Sequence, residues 1–220
     1  MHKFRFPALL ILFVFSIAIF FGFSNQSLIS NQDKQKIKIA VQEGDIIFQS
    51  SRSGQSSAIQ LATNSKYSHC GILLKNKNGI LMVAEAVQPV QIKPIKEFIE
   101  RGDDNHYVIK RLIKRDSIFS DETVKEMQDL FYSFEGKDYD IKFEWTDSKI
   151  YCSELVWKIY ERTTGIQLGE PKPLKDYSLN SPLVRKTMEE RYGNEIPWDE
   201  PMVAPSTIFE SKLLETVIEE

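Results

Sequence analysis

The sequence predicts one α+β domain, in which an antiparallel sheet packs against helices. Two strand-like runs, residues 67–74 and 80–87, are joined by the turn signal Lys77-Asn78-Gly79 and together predict a β-hairpin. Later in the chain, apolar residues at helical spacing follow a loop-like stretch, which predicts a helix with Cys152 in its first turn. With 220 residues and 42% hydrophobic content, the chain is long enough for a single domain with a substantial core.

The N-terminus differs in composition from the rest of the chain. Positively charged residues precede residues 6–23, a run that carries no charge and is rich in Leu, Ile, Phe and Val. This pattern is typical of a secretory signal, and its length also permits a single-pass anchor, so residues 1–24 are expected to be one or the other. The positive-inside rule then places the rest of the protein across the membrane, in a periplasmic or extracellular location. Residues 25–36 are mostly polar and are interpreted as a linker, which leaves 37–220 as the domain.

Composition narrows the classes of partner and cofactor. The formal net charge is −3, with acidic and basic residues interspersed, which argues against nucleic acid as the main partner. No metal-ligand cluster, phosphate-binding glycine loop or nucleotide fingerprint is recognisable, so neither a cofactor nor a metal is predicted. Cys70 and Cys152 could form a disulfide, but a small exported protein that relies on disulfides usually has more cysteines, so a free Cys152 is favoured.

The remaining elements follow from local patterns. Residues 165–205 hold six of the nine prolines and show no sustained period, so they are expected to form a long ordered excursion that borders the site or is simply an exposed insertion. The other predicted elements, in chain order, are a strand at 46–48, a short helix at 58–62, a helix at 94–101, a strand at 106–113, a helix capped by Ser120 through about 134, and a final amphipathic helix at 208–217 capped by Ser206.

Cys152 is the candidate nucleophile. Unpaired backbone N–H groups and the positive dipole end of a helix stabilise a thiolate in the first turn. The alternative is a small apolar residue that packs the helix into the core. Among the histidines, His2 lies in the N-terminal segment and His106 opens a later strand, which leaves His69 as the candidate base.

Residues next to His69 refine this hypothesis. Gly71 removes a side chain from the strand face that His69 shares, which suits close approach by another element. Because side chains alternate along a strand, Cys70 should point away from His69 and from any site that His69 lines.

Glu85 is an acid in an otherwise apolar strand, which is costly unless the carboxylate is paired or exposed. The hairpin register decides whether it can orient His69. A two-residue turn pairs Ile72 with Glu85 and puts Glu85 on the opposite face, whereas a three-residue loop with a left-handed Gly79 pairs Gly71 with Glu85. His69 and Glu85 are then diagonal neighbours, roughly 7–8 Å apart at the backbone. The catalytic hypothesis requires this second register.

Two further residues are candidates for substrate binding. Tyr151 directly precedes Cys152, and Asp140 lies in the loop that leads to it. Asp140 positions substrate or closes a turn, and the turn is the favoured alternative.

Several segments resemble one known family, the YiiX-like branch of the circularly permuted NlpC/P60 papain-like superfamily. The matching segments, in order, are Gly44-Asp45-Ile46-Ile47-Phe48, Tyr67-Ser68-His69-Cys70-Gly71-Ile72, Glu85-Ala86, Tyr151-Cys152-Ser153-Glu154-Leu155 and Val203-Ala204-Pro205-Ser206. The resemblance implies a papain-like α+β fold in which the histidine strand faces the cysteine helix across a cleft. Carried over by position, it implies Cys152 as nucleophile, His69 as base and Glu85 as third member of a triad.

The leading functional hypothesis is an envelope-facing cysteine amidase or peptidase that cleaves an amide bond through a Cys-His-Glu triad and a thioester intermediate. Its expected substrate is a peptide, an N-acylated compound or a lipid amide. A second hypothesis is a lipid-directed acyl hydrolase or acyltransferase, which an apolar pocket formed around the cleft by residues 165–205 would favour. The third is a non-catalytic envelope binding protein in which Cys152 and His69 merely pack.

Overall fold

The computed structural model describes residues 41–220. The expected signal or anchor, residues 1–24, and the expected linker, residues 25–36, lie outside this part of the chain. Within residues 41–220, no helix is long and apolar enough to span a bilayer. The described elements are β1 (Ile46–Ser51), α1 (Ser56–Thr63), β2 (His69–Lys75), β3 (Leu81–Glu85), β4 (Gln91–Lys93), α2 (Ile95–Glu100), β5 (Gly102–Leu112), α3 (Arg115–Ile118), α4 (Asp121–Phe134), α5 (Cys152–Thr164), β6 (Lys172–Pro173), a 3₁₀ turn (Leu174–Asp176), α6 (Pro182–Tyr192), β7 (Pro201–Met202), α7 (Pro205–Phe209) and β8 (Leu214–Glu219).

A six-stranded sheet organises the domain, in the order β4-β3-β2-β1-β5-β8. Every neighbouring pair in it is antiparallel, which confirms the predicted α+β class. One face of the sheet packs against α4 and α5, through buried side chains such as Phe131, Leu155 and Ile159. The other face packs against α2, through Phe98 and Ile99. The cysteine helix therefore lies on one side of the sheet and α2 on the other.

The hairpin has the register that the catalytic hypothesis requires. Ile72 pairs with Ala84 and Lys75 with Leu81, so Gly71 lies opposite Glu85. The connection is closed by hydrogen bonds from the Asn76 N–H to the Ile80 carbonyl and from the Gly79 N–H to the Asn76 carbonyl, and Gly79 has a left-handed φ of 74°. A Cβ atom at position 71 would lie 2.5 Å from the Val83 side chain. Glycine at this position therefore lets β3 approach β2 closely.

The turn before β1 is held by a buried ion pair. Asp45 is fully buried, and its two carboxylate oxygens accept hydrogen bonds of 2.7 Å from Nε and a terminal nitrogen of Arg111 in β5. The hydroxyl of Tyr160 in α5 also donates to the Gly44 carbonyl. The Gly44-Asp45 segment therefore joins the sheet to the cysteine helix.

The predicted helix at 208–217 is wrong. The chain instead forms the short helix α7 and then β8, which adds to the edge of the sheet by pairing with β5. Leu214 and Ile218 are buried. Their spacing of four residues is compatible with one turn of a helix, and it is equally compatible with a strand that contains a bulge, as β8 does where it pairs with β5. Pairing with β5 satisfies the backbone groups of this segment, and that non-local interaction decides in favour of the strand.

The excursion at 165–205 is ordered, as expected, and contains a helix that was not predicted. Ser181 caps α6 by accepting a hydrogen bond from the Val184 N–H. On α6 the buried residues are Val184 and Met188. Two buried positions are too few to produce a recognisable helical period of apolar residues in the sequence. Both pack with Ala58 of α1 and with Leu174. The excursion therefore folds back over α1.

Candidate active site

Cys152 is the first residue of α5, as predicted, and is 3% exposed. Within the first turn, the Glu154 carboxylate accepts a hydrogen bond of 3.3 Å from the Tyr151 N–H and pairs with Lys158 at 2.6 Å. Burial raises the pKa of Glu154 to about 8, although the Lys158 ammonium acts in the opposite direction. These contacts fix the start of the helix, at whose first position Cys152 lies.

His69 is the first residue of β2, and its ring is held on two sides. Its Nε2 lies 2.7 Å from Oε2 of Glu85, which is fully buried, and the ring stacks on Phe98 at 5.4 Å between centroids. The other oxygen of Glu85 accepts a hydrogen bond from Arg101. Because Nε2 is engaged by Glu85, Nδ1 is the nitrogen left to exchange a proton with the thiol.

The electrostatic interactions among Cys152, His69 and Glu85 favour an ion pair between the Cys152 thiolate and the His69 imidazolium. The pKa of Cys152 lies well below its ordinary value because the Cys70 thiol donates a hydrogen bond to its sulfur and His69 attracts its negative charge, and together these effects outweigh burial. Burial disfavours charge on His69, but the Cys152 thiolate and Glu85 outweigh it and raise the pKa of His69 to about 9. Burial also opposes charge on Glu85, yet His69 and Arg101 lower its pKa. These shifts together favour a thiolate–imidazolium pair beside a carboxylate.

The expectation for Cys70 is only half right. Side chains of β2 do alternate, since Cys70 is buried in the cluster on the α5 side of the sheet while His69 packs on Phe98 on the other side. Cys70 nevertheless lies at the site, because both its thiol and its backbone N–H interact with Cys152. Cys152 at the start of α5 thus interacts with two successive residues of β2, His69 and Cys70, which alternation alone does not predict. Both cysteines are free and buried.

Comparison with known families agrees with this arrangement. Residues 40–218 match the model of the family described as "Permuted papain-like amidase enzyme, YaeF/YiiX, C92 family". The chain belongs to this family. Membership assigns it to the papain-like cysteine hydrolases and confirms the fold and the resemblance inferred from the sequence.

Two relatives of this chain are similar to it over most of its length. The "Uncharacterized protein YiiX" of Escherichia coli strain K12 is 43% identical over 180 residues, which are 81% of this chain and 87% of that protein. A crystal structure described as metalloprotein yiiX, from Escherichia coli O157:H7, superposes with a TM-score of 0.77 at 43% identity and covers 82% of this chain and 98% of that one. Within residues 41–220 of this chain, no group of three or more His, Cys, Asp or Glu side chains is placed to hold a metal ion. The residues described here therefore do not fit the usual protein metal site.

Sequence reasoning missed two polar residues of this candidate site, Tyr139 and Gln55. The Tyr139 hydroxyl interacts with Cys152, and burial together with the thiolate raises its pKa well above the ordinary value. Gln55 donates from Nε2 to that hydroxyl at 3.3 Å, and its Oε1 accepts a hydrogen bond of 2.9 Å from Arg191 of α6. Because Gln55 donates to the Tyr139 oxygen, the hydroxyl hydrogen is left to point at the site. These residues come from three separate segments, and no local pattern joins them.

Of the two candidate substrate-binding residues, Tyr151 lines a pocket at the site and Asp140 does not. Both carboxylate oxygens of Asp140 accept backbone hydrogen bonds, from the N–H groups of Lys142 at 2.8 Å and Glu144 at 2.6 Å, and the residue is 2% exposed. Asp140 therefore closes a turn and lies outside the pockets described below. Tyr151 does line the pocket beside Cys152, but its hydroxyl accepts a hydrogen bond from the Val203 N–H at 3.1 Å.

Two pockets meet at the site. The first has an empty volume of about 710 Å³ including its mouth, is lined mostly by apolar side chains and contains Cys152. The second has an empty volume of about 1730 Å³, is lined mostly by polar and charged residues and contains His69. Gln55 and Tyr139 line both pockets. The candidate site thus has an apolar side and a polar side, with Gln55 and Tyr139 at their junction.

Proposed function

We propose that this chain is a cysteine amidase that hydrolyses an amide bond through Cys152, His69 and Glu85. One observation carries the proposal: the 2.7 Å contact between His69 and the fully buried Glu85 holds the imidazole beside a helix-start thiol. Membership in a family of papain-like amidases supports amide chemistry.

The proposed reaction begins with the resting ion pair. The Cys152 thiolate attacks the amide carbon and forms a tetrahedral intermediate, and the His69 imidazolium then gives its proton to the departing amine as the carbon–nitrogen bond breaks. The acyl group is left on Cys152 as a thioester. Water attacks this thioester and gives a proton to His69, which restores the thiolate and releases the acid. Glu85 keeps the imidazole oriented in each step.

Two donors are available for the oxyanion of the tetrahedral intermediate. The backbone N–H of Cys152 lies at the open start of α5, and the Tyr139 hydroxyl interacts with the sulfur that carries the intermediate. The Tyr139 hydroxyl is aligned in advance by Gln55, so its reorganisation during the reaction costs little. The two groups supply hydrogen bonds to the charge that develops on the carbonyl oxygen.

Hydrolysis of N-acyl aminomethylcoumarin by the purified full-length protein tests the proposal. Cys152→Ala abolishes turnover, and His69→Ala lowers kcat by roughly 10²–10⁴-fold because the proton shuttle is lost. His106→Ala is the matched control, since its Nε2 is buried with no hydrogen-bond partner in the described part of the chain and it plays no role in the reaction. Equal loss in the His69 and His106 variants contradicts the proposed base.

We also propose that the domain acts on the outer side of the cytoplasmic membrane. The support is the charged start followed by the uncharged apolar run at residues 6–23. A fusion of alkaline phosphatase to the C-terminus is active only after export. An active fusion supports the assignment, and an inactive, stably expressed fusion contradicts it.

A further inference from the structure

Cys70 is a nucleophilic group that the proposed amidase reaction does not consume. It is fully buried in β2, and both its thiol and its backbone N–H interact with the sulfur of Cys152. A serine hydroxyl at this position would also donate a hydrogen bond to that sulfur. A thiol therefore brings a capacity that hydrogen bonding does not require, which is the formation of a covalent bond to a second sulfur.

The fold brings the two sulfurs together without joining them. The Cys70 side chain belongs to the core cluster on the α5 side of the sheet, and Cys152 is the first residue of α5. Both cysteines are free. Because the Cys152 sulfur contacts the side chain and the main chain of Cys70, side-chain rotation with a small approach brings the sulfurs to the disulfide bond length of about 2.05 Å.

The two sulfurs differ in access and in charge. Cys152 lines the first pocket, whereas Cys70 lines neither of the two pockets. Burial, followed by the hydrogen bond to Cys152, raises the pKa of Cys70 well above its ordinary value, while the contacts with Cys70 and His69 lower the pKa of Cys152. An accessible thiolate next to a sheltered thiol is the arrangement of an attacking cysteine and its resolving cysteine.

We propose that Cys152 and Cys70 form a reversible disulfide when a hydroperoxide reaches the site, which switches the nucleophile off and protects it from irreversible oxidation. This inference goes beyond the proposed amidase function, because it requires the two sulfurs and an oxidant but no amide substrate. The location proposed above, outside the cytoplasmic membrane, is one in which disulfides form and persist.

The oxidation proceeds in two balanced steps. The Cys152 sulfur attacks one oxygen of hydrogen peroxide, the oxygen–oxygen bond breaks, and the departing hydroxide takes a proton from the His69 imidazolium and leaves as water. Cys152 is then a sulfenic acid, oxidised by two electrons. The Cys70 sulfur displaces the hydroxyl group from the Cys152 sulfur, and this hydroxyl leaves as water with the Cys70 proton. The sum is two thiols plus hydrogen peroxide to one disulfide plus two waters.

The contact between the sulfurs decides the fate of the sulfenic acid. A second peroxide molecule would convert it to a sulfinic acid, which a thiol reductant does not reverse. Closure by Cys70 is intramolecular and outpaces this bimolecular reaction. A dithiol then restores the site, since its two sulfurs become a disulfide and its two hydrogens return to Cys70 and Cys152.

Peroxide treatment of the purified, fully reduced full-length protein tests the proposal. The remaining thiols are alkylated in urea, and the peptides are mapped by mass spectrometry without reduction. The expected product is a cross-linked peptide pair that contains Cys70 and Cys152, with both thiols lost together and both restored by dithiothreitol. These are the two cysteines of the chain, so a non-reducing gel distinguishes this bond from a link between two molecules.

Cys70→Ser is the matched variant, since it keeps a hydrogen-bond donor beside Cys152 and removes the resolving sulfur. Its Cys152 is expected to give a sulfenic acid that dimedone traps. Without dimedone, the thiol that dithiothreitol can recover is expected to disappear about tenfold or more faster than in the wild type, because no intramolecular closure competes with the second oxidation.

The outcomes separate this proposal from the amidase proposal. The cross-linked peptide in the wild type supports the switch even where Cys70→Ser does not fold. A wild-type Cys152 that is oxidised to sulfinic acid as fast as in Cys70→Ser overturns it, as does a Cys152 that resists peroxide or is linked only between molecules; the amidase proposal then stands. A protein that forms the disulfide but cleaves no amide when reduced keeps the switch and contradicts the amidase.

Discussion

Replacement of Tyr139 by Phe removes one hydroxyl from the site and tests its proposed role toward the oxyanion. Loss of one preorganised oxyanion donor lowers kcat by about 10²–10³-fold in other hydrolases. The Tyr139 hydroxyl already interacts with the Cys152 thiolate before substrate binds, so part of its effect is present in the resting state. The lower end is therefore expected here, a loss of about 100-fold in kcat, or about 2.7 kcal/mol of transition-state stabilisation.

The assay is steady-state hydrolysis of an N-acyl aminomethylcoumarin. The expected change lies in kcat, with KM nearly unchanged, because the hydrogen bond strengthens as charge develops on the substrate oxygen. Tyr132→Phe is the matched control, since the Tyr132 hydroxyl is buried without a hydrogen-bond partner within residues 41–220. A kcat for Tyr139→Phe within twofold of wild type, or a change confined to KM, refutes the oxyanion role.

Three further predictions concern the residues around the nucleophile and the fold. Cys70→Ala is expected to raise the pKa of Cys152 by about one to two units, because a hydrogen bond to a charged group is worth roughly 1.5–3 kcal/mol; the pH dependence of iodoacetamide alkylation measures this. Glu85→Gln is expected to lower the pKa of His69 from about 9, so the alkaline limb of the pH–kcat profile moves to lower pH. Asp45→Asn breaks a buried ion pair and is expected to lower the free energy of unfolding by roughly 3–5 kcal/mol in urea titration.

Each of these predictions has a control. Cys70→Ser keeps a donor and is expected to shift the pKa of Cys152 less than Cys70→Ala does; equal shifts contradict the hydrogen bond. Glu100 lines the polar cleft and pairs with Lys96 rather than with His69, so Glu100→Gln removes a nearby carboxylate without removing the contact to His69. If the alkaline limb moves as far in Glu100→Gln as in Glu85→Gln, the direct Glu85–His69 contact is not the cause of the shift. Asp116 is 89% exposed on its side chain, so Asp116→Asn is expected to change unfolding by about 0.5 kcal/mol or less.

Local sequence patterns predicted the parts of the site that local geometry decides. The turn signal Lys77-Asn78-Gly79 predicted the hairpin but left two registers open, and the structure has the three-residue connection with a left-handed Gly79. That register brings His69 and Glu85 to one face. The position of Cys152 followed equally from a loop that ends where an apolar helical period begins.

Non-local contacts decided the rest. The hydrogen bond between Gln55 and Tyr139 joins residues 84 positions apart in sequence, and neither residue stands out in its own segment. Strand β8 depends on pairing with β5. The sequence pattern within residues 208–217 contains no sign of that pairing. Cys70 was misjudged because alternation fixes the face of a strand but gives no information about a helix that contacts the end of that strand.

The proposed chemistry depends on a coupled thiolate–imidazolium pair formed by Cys152 and His69. The most direct test is the pH dependence of iodoacetamide alkylation at Cys152, measured by peptide mass spectrometry in the full-length protein and in His69→Ala. A coupled pair gives Cys152 a thiol pKa well below the ordinary value, and this pKa rises when His69 is removed. An ordinary pKa that is the same in both proteins would contradict it, and Cys152 and His69 would then be packing residues of a non-catalytic domain.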